Sequence, residues 1–167
     1  MLIVSIRYFT APGRVEIGGN HTDHQHGRVL AAAVGLEIVA AAEVNGSKMI
    51  RLFGAHGDCG SNTSNTPHLD GADRRGGTSR EYGDIVAPDT EVDLSFSETV
   101  PDEKGTSAAL VRGIAHWFSQ HEYPVGGFDA AISSTIPVGA GLSSSAAFAV
   151  LIGNIFKGLF NADISPI

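Results

Sequence analysis

The stretch from Phe128 to Leu159 restricts the possible folds more than any other part of the chain. Phe128, Ala130 and Ile132 alternate with Asp129, Ala131 and Ser133, a period of two that predicts a strand. Further on, Phe148, Leu151, Ile152, Ile155, Phe156 and Leu159 fall at i, i+3, i+4, i+7, i+8 and i+11, which is one apolar stripe on a helix. The run between them, Ile136 to Ala146, holds Gly139, Gly141, Ser143, Ser144 and Ser145. A strand that passes through such a turn straight into a helix leaves the unpaired first-turn N–H groups, and the positive end of the helix dipole, facing the turn. That arrangement suits an anion such as a phosphate, and a serine hydroxyl there can donate to phosphate or ligate Mg²⁺. The same residues also read as an N-capped helix whose glycines serve tight packing. A Walker pattern is absent, since no Gly-Lys-Ser/Thr follows the first glycine. A dinucleotide fingerprint fits poorly, because Ser144 stands at the third glycine position and Asp163 follows a helix, not a second strand.

Upstream, Leu2, Val4, Ile6 and Tyr8 alternate with Ile3, Ser5, Arg7 and Phe9, predicting a strand that enters a turn at Pro12-Gly13. Val15 and Ile17 continue as a short strand, and Gly18 to Gly27 reads as a loop. Val29 to Val44 is almost wholly Ala, Val, Leu and Ile, and Asn45-Gly46 before Lys48–Phe53 predicts a tight hairpin. Residues 56–90 are dominated by Gly, Ser, Thr, Asn, Asp and Arg, so an exposed, mobile insertion is expected there. Glu91 to Phe96 predicts an edge strand. Thr106-Ser107 then caps a helix bearing Leu110, Val111, Ile114, Trp117 and Phe118.

With 167 residues and 43% hydrophobic content, the chain can bury one core, as a single domain or one lobe of a larger protein. The net charge of −7 argues against broad binding to nucleic acid or an anionic membrane. A lone cysteine, Cys59, fits a reduced, cytoplasmic setting, and the N-terminal apolar stretch is too short to span a bilayer.

The loop after Arg14 gathers Glu16, Asn20, His21, Asp23, His24 and His26. Paired donors and acceptors on a short glycine-bounded loop suit the hydroxyls of a sugar. His21, Asp23, His24 and His26 equally have the make-up of a zinc hydrolase site, although their spacing matches no zinc pattern. Solvated loop histidines are the third reading.

Taken together, Ala11-Pro12-Gly13-Arg14-Val15-Glu16-Ile17-Gly18-Gly19-Asn20-His21-Thr22-Asp23-His24 and Ile136 to Ala146 resemble the first and second motifs of the GHMP kinases, and within that superfamily those of the galactokinases. The resemblance implies an α+β fold like domain 2 of ribosomal protein S5: a two-layer arrangement of sheet and helices with a left-handed βαβ crossover, against the usual hand. It implies residues 1–167 as an N-terminal lobe whose C-terminal lobe lies outside this chain. It also implies ATP-dependent phosphorylation of a small sugar, foremost galactose to galactose 1-phosphate, by the intact parent protein. ATP and Mg²⁺ are the implied cofactors.

By position, Arg14 resembles the catalytic arginine near the transferred phosphoryl, and Asn20, His21 and Asp23 fall among the sugar-binding residues. Gly139, Gly141, Ser143, Ser144 and Ser145 match the phosphate loop, with Ser145 as the Mg²⁺ ligand. Three positions depart from the galactokinase pattern: Glu16 stands for Asn, Asn20 for Glu and His24 for Tyr. The family's Gly-x-x-Asp-Gln segment, with its general base, is not found before Ile167, so the 167-residue piece alone is expected to be inactive. A non-catalytic ATP- and sugar-binding sensor is the alternative from a different class.

Overall fold

The structure is a computed structural model that describes residues 5–19, 27–54, 88–95, 100–137 and 139–164. Among these residues, five strands and two α-helices follow in the order β1 (Arg7–Gly18), β2 (Leu30–Val44), β3 (Met49–Phe53), β4 (Thr90–Asp93), α1 (Ser107–Gln120), β5 (Phe128–Ser134) and α2 (Ser144–Leu159). The sheet order is β1-β2-β5-β3-β4, with β3 and β5 parallel and the other neighbours antiparallel. The mixed α+β class expected from the sequence is therefore the class observed. The chain between the parallel pair runs through β4 and α1, which is the crossover segment.

Period-two burial puts one face of the sheet under the helices. Ala11, Ile38, Ala40, Ala42, Ile50, Leu52, Val92, Phe128, Ala130 and Ile132 are buried on it, against Val111 and Phe118 of α1 and the α2 stripe. Phe156 sits in the middle, with ring centroids 5.2 Å from Phe118 and 5.4 Å from Phe128. Intervening residues face away: Tyr8 is 83% exposed and Val39 40%. Among the described residues no helix is long and apolar enough to cross a membrane.

Two local expectations are corrected. Pro12-Gly13 does not end the first strand, because β1 runs through it with a register shift between Pro12 and Arg14. β1 is an edge strand, where a missing N–H is tolerated. The tight hairpin at Asn45-Gly46 does not form either, because β5 lies between β2 and β3. The Asn45 side chain holds the parting strands, donating to Met49 O at 2.9 Å and to Asp129 Oδ1 at 2.7 Å. Gly127 is threaded through the gap, its amide donating to Ser47 O at 2.8 Å. The 56–90 insertion falls almost entirely outside the described residues.

Arg112 is a buried charge that periodicity did not single out. It is 7% exposed, and its guanidinium meets Glu103 through two donors at 2.8 Å and Asp93 O at 2.7 Å, tying α1 to β4 and the 3₁₀ turn Pro101–Glu103. The hydrogen bonds from Arg112 hold the Glu103 carboxyl below the usual carboxylate range. A depressed folded-state value gives stability that is present at neutral pH and lost as the pH falls through that value. Glu103→Gln should thus cost about 2 kcal/mol at pH 7. The gap from wild type should close below the usual carboxylate range, as read from urea midpoints across pH; a gap of constant size would refute the linkage.

Candidate functional site

β1 and α2 lie side by side and antiparallel, which carries the sequence around Arg14 to the N-terminal end of α2. Asn154 Nδ2 donates to Thr10 O at 3.3 Å midway along, and the Arg7 guanidinium reaches Gly158 O at the far end. At the near end the Arg14 amide donates to Leu142 O at 3.1 Å. Gly13 allows this approach: a Cβ there would stand 3.1 Å from Leu142 O, 3.1 Å from Val34 Cγ2 and 3.3 Å from Ile136 Cδ1. The first motif is thus hydrogen-bonded to the second, although the two are far apart in sequence.

The turn before α2 is built to leave donors open. Gly139 and Gly141 have φ of +78° and +71°, and a Cβ on either would meet nothing within 4 Å. The backbone is therefore left-handed beside open space, where glycine is the residue of choice. Ser143 continues the twist at φ 55° and stands at the N-cap, yet its side chain makes no capping hydrogen bond. The contrast with α1 is informative: there Thr106 accepts from the Ala109 amide, as a conventional cap. The first turn of α2 has no such cap and no acidic residue, so its N–H groups and positive dipole end remain available to an anion. Ser143 and Ser144 are half-buried and Ser145 is exposed.

The Arg14 side chain is exposed and has no ion-pair partner among the described residues. Glu16, two residues further along β1, is half-buried. Of the residues expected to form the site, Arg14, Gly139, Gly141, Ser143, Ser144 and Ser145 fall at this one end of the α2–β1 pair. Asn20, His21 and Asp23, together with His24 and His26 of the zinc reading, lie outside the described residues. Among those described, no group of three or more His, Cys, Asp or Glu is placed to hold a metal. A groove of about 520 Å³ runs along Tyr8, Val39, Ala41 and Ala131 on the uncovered sheet face; no charged side chain lines it, so it offers nothing to a triphosphate.

Comparison with known proteins matches the same two segments. Residues 5–44 fit the model described as the galactokinase galactose-binding signature, and residues 109–167 the GHMP kinases N terminal domain. The galactokinase of Bacillus subtilis (strain 168) is 28% identical over 163 residues, covering 97% of this chain and 34% of that protein. The crystal structure of Lactococcus lactis galactokinase complexed with galactose superposes with a TM-score of 0.69 at 26% identity, over 96% of this chain and 34% of that one. Mevalonate kinase of Methanococcus jannaschii gives a TM-score of 0.61 at 18% identity, covering 96% of this chain and 42% of that one, and so shares the fold. The chain spans about a third of the length of the galactokinases it matches.

Proposed function

We propose that this chain, which matches the galactokinase galactose-binding signature and the GHMP kinases N terminal domain over parts of its length, is the N-terminal lobe of an ATP-dependent GHMP-type kinase acting on a small sugar, foremost galactose. The observation that carries this reading is the hydrogen bond from the Arg14 amide to Leu142 O. It brings the Arg14 backbone to the turn that opens α2, whose N-cap Ser143 makes no side-chain cap hydrogen bond, and an arginine next to such a helix start suits transfer of a phosphoryl group.

In this reading the loop Gly139–Ser145 takes the ATP phosphates through backbone N–H groups and serine hydroxyls. Room above Gly139 and Gly141 lets the phosphates approach the main chain. The exposed Ser145 would supply an oxygen ligand to Mg²⁺, which would contribute neutralisation of phosphate charge. The sugar hydroxyl forms a bond to the γ-phosphorus, the bond from that phosphorus to the bridging oxygen breaks, and ADP leaves with the electron pair. Arg14 faces the charge that spreads over the moving phosphoryl oxygens. The hydroxyl proton passes to a carboxylate of the C-terminal lobe, outside this chain. Asn20, His21 and Asp23 hold the ring hydroxyls. Most of the rate comes from positioning and charge stabilisation.

The full-length protein, supplied with MgATP and separately with galactose, N-acetylgalactosamine, galacturonate and glucose, is expected to release ADP and form a sugar 1-phosphate with galactose best. Absence of sugar-dependent ADP release with all four would overturn the reading.

A further inference from the structure

We propose that Glu16 is a specificity-determining residue whose buried carboxyl oxygen accepts a hydrogen bond from a hydroxyl of the acceptor sugar. The inference rests on the kinase reading and extends it to a residue to which the motif resemblance gives no role. Among the described residues, the one buried side-chain oxygen or nitrogen without a hydrogen-bond partner is Glu16 Oε1. An acceptor removed from water and left unmet bears its full desolvation penalty, and native proteins rarely keep such a group unless something else completes it.

The surroundings of Glu16 on the sheet supply no partner. In the β1–β2 register Glu16 lies opposite Ala31, Val15 opposite Ala32 and Arg14 opposite Ala33. Methyl groups cannot donate. Glu16 is on the same side of β1 as Arg14, about 7 Å along it, since side chains of a strand alternate. That offset is comparable to the span of a pyranose ring. A sugar presenting one hydroxyl to the phosphoryl group near Arg14 can therefore present another to Glu16. The sequence points the same way: where the galactokinase pattern has Asn and, four residues on, Glu, this chain has Glu16 and Asn20, so the carboxylate and the amide have exchanged places. A carboxylate at this position also disfavours an acceptor carrying its own carboxylate, and the substrate class is accordingly an uncharged sugar.

The test uses the full-length protein with Glu16→Gln and Glu16→Ala. For Glu16→Ala, the galactose KM should rise about tenfold or more while the ATP KM stays within about twofold. For Glu16→Gln, the preference for galactose over galacturonate should narrow by about tenfold. Melting temperature without sugar should be unchanged or higher for Glu16→Ala, because an unmet buried acceptor has been removed. An unaltered galactose KM and sugar preference would overturn the proposal. So would a lower sugar-free melting temperature with both KM values raised alike, which marks a purely structural role. A wild-type protein that phosphorylates none of these sugars would defeat the kinase reading and Glu16 with it, whereas an active wild type indifferent to Glu16 defeats the Glu16 assignment alone.

Discussion

Arg14→Ala in the full-length protein should lower kcat for galactose phosphorylation by about a thousandfold, with a much smaller change in the KM for ATP. The size follows from where an arginine acts in phosphoryl transfer. Charge on the transferring group is spread differently in the transition state from the ground state, and a fixed guanidinium exploits that difference. Arg14 starts from a fixed root: its amide is held by Leu142 O at 3.1 Å, and Gly13 beside it is packed against Leu142, Val34 and Ile136. Arg14→Lys keeps the charge and loses the planar fork, so it should recover only part of the activity. Activity of Arg14→Ala within about threefold of wild type would remove Arg14 from the chemistry.

The second large effect concerns folding. Gly127→Val should destabilise the protein by about 3–5 kcal/mol, seen as a large drop in urea midpoint. A Cβ at Gly127 would stand 2.4 Å from Met49 O and 2.7 Å from both Asn45 Oδ1 and Ser47 O. Two of those atoms are backbone, and Asn45 is itself fixed by hydrogen bonds to Met49 and Asp129, so the crowding has no inexpensive release. Gly113→Ala is the matched control. Its added Cβ meets nothing within 4 Å, and an alanine in a helix interior should leave stability unchanged or raise it by about 0.5–1 kcal/mol. Equal midpoints for Gly127→Val and wild type would show that this contact does not limit the fold.

How much of this was legible in the sequence depended on whether the cause was local. The α2 stripe was read residue by residue, and all of its members except the half-buried Leu159 are buried. Strand β5 and the Thr106 cap followed from period and capping chemistry in the same way. The Asn45-Gly46 hairpin was misread because turn propensity speaks only of the turn; the strand that fills the gap arrives some eighty residues later. Pro12-Gly13 looked like a stop because a proline's cost depends on whether its strand lies at an edge, which no local window reveals. At the site, the glycine- and serine-rich turn and the Arg14 motif were visible separately. Their meeting through the Arg14 amide and Leu142 O was not, because a backbone contact across the fold leaves no mark in residue type. Arg112 stayed hidden because its partners, Glu103 and Asp93 O, come from another part of the chain and from the main chain.

The insertion of β5 between β2 and β3 also bears on synthesis at the ribosome. Until residues 128–134 have emerged, the nascent polypeptide holds two strand-forming stretches whose eventual common neighbour does not yet exist. Pairing β2 directly with β3 would then be the nearest available error, and the Asn45-Gly46 turn favours it. Translation speed between codons 50 and 134, or a chaperone holding that interval open, should therefore influence the yield of correctly assembled protein.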